Sequence, residues 1–190
     1  MNVTIRKAIV LVLLAAAQCG VHAADVADLT FTPPEGEPAP RQLVRDCVVN
    51  IVGIADARNN RETIGRFARG GSVRAGDALP WLGASLERLA AYGYAVERSA
   101  APRAGAVNID VRLTRAYTFY WWPQMGGTVA LEVALPGTAA PLKLRQMGFR
   151  GAGNWDGAQQ HVKALNLGAD RVIETLAAAL KPACGALPAP

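Results

Sequence analysis

Residues 107–135 limit the fold most. In "VNIDVRLTRAYTFYWW", Val107, Ile109, Val111 and Leu113 are apolar, while Asn108, Asp110, Arg112 and Thr114 are polar. A period of two sends successive side chains to opposite faces of a strand. "TVALEVAL" repeats the alternation at Val129, Leu131, Val133 and Leu135, and "PQMGG" between the two runs supplies turn chemistry. The pattern predicts an antiparallel hairpin whose tip lies at 123–127. Each strand has one apolar face, so the hairpin needs cover on one side.

Two helices are expected to supply that cover. Leu79, Leu82, Leu86 and Leu89 recur at helical spacing, with Asp77 as N-cap, Pro80 in the first turn and Gly93 closing the helix. A second helix is expected over 156–180, striped by Val162, Leu165, Ala169, Val172, Ile173, Leu176 and Leu180, and ended by Pro182. "CVVNIVGIAD" (47–56) predicts a strand buried on both faces, and "YAVERS" (94–99) a short one. "LKLRQMGFRG" (142–151) predicts another, with a bulge at Arg145 and Gln146 because its apolar parity shifts between Leu144 and Met147. The polar, Gly-rich residues 57–76 predict a long loop. The order is β-α-β-β-β-α: an α+β two-layer sandwich with a mostly antiparallel sheet and both helices on one face.

The N terminus has the parts of a secretory signal: Arg6 and Lys7, an apolar run over 8–17, and the small-residue site Val21-His22-Ala23. The expected division is a signal peptide over 1–23 cleaved after Ala23, a flexible leader over 24–41, one domain over 42–184 and a flexible tail over 185–190. Lipidation at Cys19 is the alternative, but Gln18 stands where a lipoprotein signal has a small residue. The expected address is periplasmic or outer-membrane associated. Two cysteines remain after cleavage, Cys47 and Cys184, and an even count in an oxidising compartment predicts a disulfide.

The chain carries a net charge of +5. That excess falls when Arg6 and Lys7 leave with the signal, so no nucleic-acid partner is expected. Arg58, Arg61, Arg66, Arg69 and Arg74 cluster within the 57–76 loop. They form either a solvated loop or a docking patch for an acidic partner or anionic headgroups.

Catalytic motifs are absent. The sequence has no H-E-x-x-H, no G-x-S-x-G and no Walker A loop, and "GFRGAG" lacks the dinucleotide spacing. No metal or cofactor is expected, and His161 is expected at a surface or boundary. Carboxylate pairs drawn from Asp56, Asp110, Glu132 and Asp156 leave a hydrolase as a less favoured class. Asp110 and Glu132 are expected to share the polar side of the hairpin.

A resemblance rests on several segments together. "VVNIVGIADARNNRETIG" (48–65), "LGASLERLAAYGYAV", "VNIDVRLTRAY" and "ALNLGADRVIETLAAAL" resemble, in order and spacing over 48–180, the YajG-like bacterial envelope lipoproteins. The element order and "CGVHA" also resemble lipopolysaccharide-assembly lipoproteins. The first resemblance implies an envelope protein of small α/β fold, usually lipid-anchored and without known catalysis. Asp56, Arg58 and Gly65 match its signature. Asp56 would accept backbone hydrogen bonds after the first strand with Arg58 as its charge partner, and Gly65 would supply a positive φ.

The expected function is therefore a non-enzymatic interaction or accessory module facing an envelope protein or lipid partner, with possible peripheral membrane association. A lipid or glycolipid carrier is the alternative. In "AYTFYWWPQMGG", the parity from Val107 puts Tyr117, Phe119 and Trp121 on the core side. Tyr120 and Trp122 then face outward as the candidate contact pair, beside Arg58, Arg61 and Arg66. Arg115 breaks the pattern, and a bulge there would swap the faces.

Overall fold

The computed structural model describes residues 26–36, 39–68, 70–135, 137–151 and 157–186. The expected signal peptide, its cleavage site after Ala23, Cys19, Arg69 and Asp156 lie outside these residues. The elements are β1 (Val26–Ala27), β2 (Cys47–Asp56), β3 (Thr63–Arg66), β4 (Ser72–Ala75) and α1 (Leu79–Leu86) continuing as a 3-10 turn (Glu87–Tyr92). They are followed by β5 (Tyr94–Arg98), β6 (Val107–Trp121), β7 (Gln124–Ala134), β8 (Leu142–Gly151) and α2 (Ala158–Gly185).

The class is α+β, as expected. A five-stranded sheet runs β5-β2-β6-β7-β8, and a three-stranded one runs β1-β4-β3. Both are mixed. β2 lies parallel to β5 and to β6, whereas β7 runs antiparallel to both of its neighbours, β6 and β8. The expected antiparallel character therefore holds for the hairpin half alone.

α2 covers the larger sheet. Val162, Leu165, Ala169, Val172, Ile173, Leu176 and Leu180 are all buried, and each fully buried Leu or Ile contributes about 1.5–3 kcal/mol. The approach is close because glycines face it. A Cβ on Gly127 would overlap the Ala164 carbonyl, one on Gly148 would overlap Leu167, and one on Gly168 would meet the Gly127 carbonyl. The helix runs through Pro182 to Gly185, rather than stopping there, and this carries Cys184 to Cys47. The expected disulfide is present and spans 137 residues. Gly93 closes the first helical segment with φ 96, where a Cβ would strike the Val44 carbonyl.

Three further expectations are corrected. The 57–76 loop contains the hairpin β3–β4, whose Ile64 and Val73 are core residues. Its alternation is too short to stand out among Gly and Arg. Part of the expected leader, 26–32, packs into the fold. β1 pairs with β4, Ala27 and Leu29 are buried, and the Asn166 amide of α2 donates to the Thr30 carbonyl and Thr32 Oγ1. Asn166 Oδ1 in turn accepts from the Trp81 indole at 2.8 Å, so one buried amide joins α1, α2 and the N-terminal segment. Finally, β8 pairs with β7 without a register shift. Its parity changes because Gly148 takes an inward position and Met147 faces out.

Candidate interaction surface

One extra residue decides which side chains β6 exposes. Its pairing with β7 shifts between Leu113 and Arg115, so Thr114 is a bulge. Beyond it the faces swap. Ala116 and Thr118 are buried, while Tyr117 is 39% and Trp121 67% exposed. The core-side placement of Tyr117, Phe119 and Trp121 is thus corrected, and so is the outward placement of Tyr120. Trp122 does project outward, at 83% exposure, in a two-residue turn with Pro123. The turn is shorter than expected because Gln124 to Gly127 are already strand.

The register lays out the face opposite α2 row by row. Glu132 sits between Arg112 and Lys143, Ala130 between Arg115 and Arg145, and Thr128 between Tyr117 and Met147. Gly126 then sits between Phe119 and Phe149, and Gln124 between Trp121 and Gly151. The Phe119 ring lies over Gly126, where a Cβ would meet its Cζ at 2.5 Å. It packs edge-on against Phe149 with centroids 5.9 Å apart. Met147 is 42% exposed. The face is therefore aromatic toward the hairpin tip and charged beyond the bulge, where Glu132 lies near Arg112 and Lys143. Farther along, the residues after β5 cover the outer face of β2: the buried Asn50 amide donates to the Ala101 carbonyl and to Asn108 Oδ1.

Two polar groups lie on the inner side. His161 is fully buried, not at a boundary; Thr118 Oγ1 sits 2.6 Å from its Nδ1 and donates to the Ile64 carbonyl. Phe67 and Tyr120 pack edge-on against the imidazole. Burial pushes His161 down to about 4. Gly65 borders this cluster. Its role is space, not a positive φ, because a Cβ there would collide with Thr118 Oγ1 and lie 2.9 Å from His161 Nδ1.

Arg58 is also buried, which removes it from the candidate contact residues. Its backbone N–H and Nε donate to Asp56 Oδ1, and Nη2 donates to Asp56 Oδ2 at 2.7 Å and to the Arg61 carbonyl. Burial alone would raise the Asp56 carboxyl, but Arg58's hydrogen bonds and charge outweigh it and hold the group below its usual range. The expected pairing of these residues is as drawn from the sequence. Arg61 and Arg66 are exposed on the β3 side, apart from the aromatic rows. Asp110 and Glu132 share the outer face, as expected. Among the described residues no cluster of His, Cys, Asp and Glu has metal-binding geometry, and no helix is long and apolar enough to cross a membrane.

Sequence parity missed Tyr117, Trp121, Met147 and Phe149 as outward residues. The available signal was Arg115, a charge in an apolar register.

No protein-family model matches the chain, and no curated protein matches it. Among solved structures, a Xanthomonas campestris protein of the DUF330 family is 18% identical over 81% of this chain and 93% of its own, with a TM-score of 0.48. A hypothetical protein from Chlamydia trachomatis is 9% identical over 74% of this chain and 99% of its own, with a TM-score of 0.40. PelC from Paraburkholderia phytofirmans, a dodecamer, is 14% identical over 74% of this chain and 95% of its own, with a TM-score of 0.33.

Proposed function

We propose that this chain is an exported, non-enzymatic interaction module of the cell envelope, and that it works through the outer face of its five-stranded sheet. One observation carries the reading: Tyr117 and Met147 on one row, and Trp121 at the tip beyond the Phe119–Phe149 row, are exposed on the same face, which α2 does not cover. Grouped exposed apolar side chains of this kind mark contact surfaces on soluble proteins, whereas single ones do not. Non-enzymatic action is supported by how the carboxylates are used. Asp56 is bound by Arg58, and Glu132 lies between two cations. Export is supported by the signal-like N terminus and by the Cys47–Cys184 disulfide, a bond that persists in oxidising compartments. The resemblance to YajG-like lipoproteins points to the same address.

The test is photo-cross-linking in living cells. A photoreactive phenylalanine analogue at Trp121 is expected to give adducts with another envelope component, and the same analogue at Glu174, exposed on α2, is not. Equal yields at the two positions would defeat the reading.

A further inference from the structure

From the layout of the outer face we infer its partner class: the headgroup layer of an anionic phospholipid membrane, met with the hairpin tip foremost. The inference rests on the contact-surface reading and specifies it. Trp and Tyr favour the membrane–water interface, where an apolar ring and a polar edge are both accommodated. Here Trp121 and Trp122 stand at the tip, Phe119 and Phe149 one row behind, and Tyr117 and Met147 behind those.

The next row is cationic. Arg115 and Arg145 flank Ala130, and both are exposed. One row farther stand Arg112 and Lys143 with Glu132 between them, and Asp110 follows. Four cations against two carboxylates give this half of the face a positive excess, and its nearest row to the aromatics carries no anion. Rows on one face are about 7 Å apart, since each residue rises ~3.4 Å. An interfacial element sinks ~5–10 Å into the headgroup–acyl boundary. Sinking the tip to that depth brings Phe119 and Phe149 to the boundary. Arg115 and Arg145, two rows or about 14 Å farther back, then stand just outside the headgroup layer. Their long side chains reach down toward the lipid phosphates, to which guanidinium groups donate paired hydrogen bonds. A purely apolar partner would leave these arginines unanswered, and a purely acidic one would leave the tryptophans so.

Vesicle sedimentation of the full chain tests this, with phosphatidylcholine vesicles that contain or lack phosphatidylglycerol. The apolar N-terminal segment is common to every variant, so differences between variants report on the face. Binding is expected to need phosphatidylglycerol. It should fall about fivefold for each of Arg115→Gln and Arg145→Gln, in line with the contribution of one cation near an anionic surface. Tyr117→Ser with Trp121→Ser should lower it at least about tenfold, as apolar contact area is lost. All four positions are exposed, and unchanged melting will show that the variants fold. Binding that ignores phosphatidylglycerol or these substitutions overturns the inference. If the chain instead sediments as an oligomer that Trp121→Ser dissociates, without binding vesicles, a second copy covers the face. The lipid inference then fails and the contact-surface reading stands. If neither vesicle binding nor oligomeric state depends on the face, and Trp121 gives no cross-links, both fail.

Discussion

Burying an imidazole removes the water that would stabilise its cation, and His161 shows the consequence. Its ordinary value of 6.5 in the unfolded chain falls to about 4 in the fold. Above 6.5 the ring is neutral in both states and burial has no pH-dependent effect. Between 6.5 and about 4 the unfolded chain takes up the proton first, so stability declines as pH falls through that window, by up to ~1.4 kcal/mol per pH unit. Denaturant melts across the window are expected to show this slope in the native chain and to lose it in His161→Gln. An equal slope in both would assign the pH dependence elsewhere. The ion pair of Arg58 and Asp56 makes a second residue-scale case, with side chains 2% and 11% exposed. Arg58→Ala would leave a largely buried carboxylate without its cation. It is expected to cost about 3 kcal/mol or more in equilibrium unfolding, whereas a surface arginine such as Arg66 should cost little on truncation.

Among elements, the contact between α2 and the sheet depends on absent side chains. Gly127→Ala and Gly148→Ala each insert a methyl group against helix backbone or Leu167, and about 1–3 kcal/mol of destabilisation is expected. Gly126→Ala faces outward, and the nearest atoms to its Cβ are the far end of the Phe119 side chain rather than backbone, so thermal melts should rank it milder. The helices and long strands were legible because their apolar periods run over many residues. α2 shows seven such positions, and β6 four before its bulge. What escaped was short or interrupted. β3 and β4 are four residues each, among glycines and arginines. β1 is two residues paired with β4, and the segment just after it is held by Asn166 from far along the chain. The face of the aromatic cluster depended on one inserted residue, Thr114. A period of two cannot reveal such an insertion except through a misfit, and Arg115 was that misfit. His161 was misplaced for a related reason: its partners Thr118, Phe67 and Tyr120 come from elements distant in sequence.

At the scale of the whole molecule, the disulfide ties β2, in the larger sheet, to the last turn of α2. Closing a loop of 137 residues restricts the unfolded chain strongly, by up to about 5 kcal/mol in the chain-entropy account. Cys47→Ser with Cys184→Ser is expected to lower the unfolding free energy by a few kcal/mol while leaving the sheet intact by circular dichroism. The same architecture gives the molecule two unlike sides. Helices, the small sheet and the N-terminal segment bury one face of the five-stranded sheet, and the other presents aromatic rows beside a cationic one. Hydroxyl-radical footprinting read by mass spectrometry addresses this division directly, because it oxidises Trp, Tyr and Met where they are accessible. In the purified chain Tyr117, Trp121 and Met147 should oxidise readily, while Trp81 and Tyr92, which are 1% and 4% exposed, should resist. In intact envelopes the first three should become protected. Oxidation of those three that is as fast in envelopes as in solution would contradict the account.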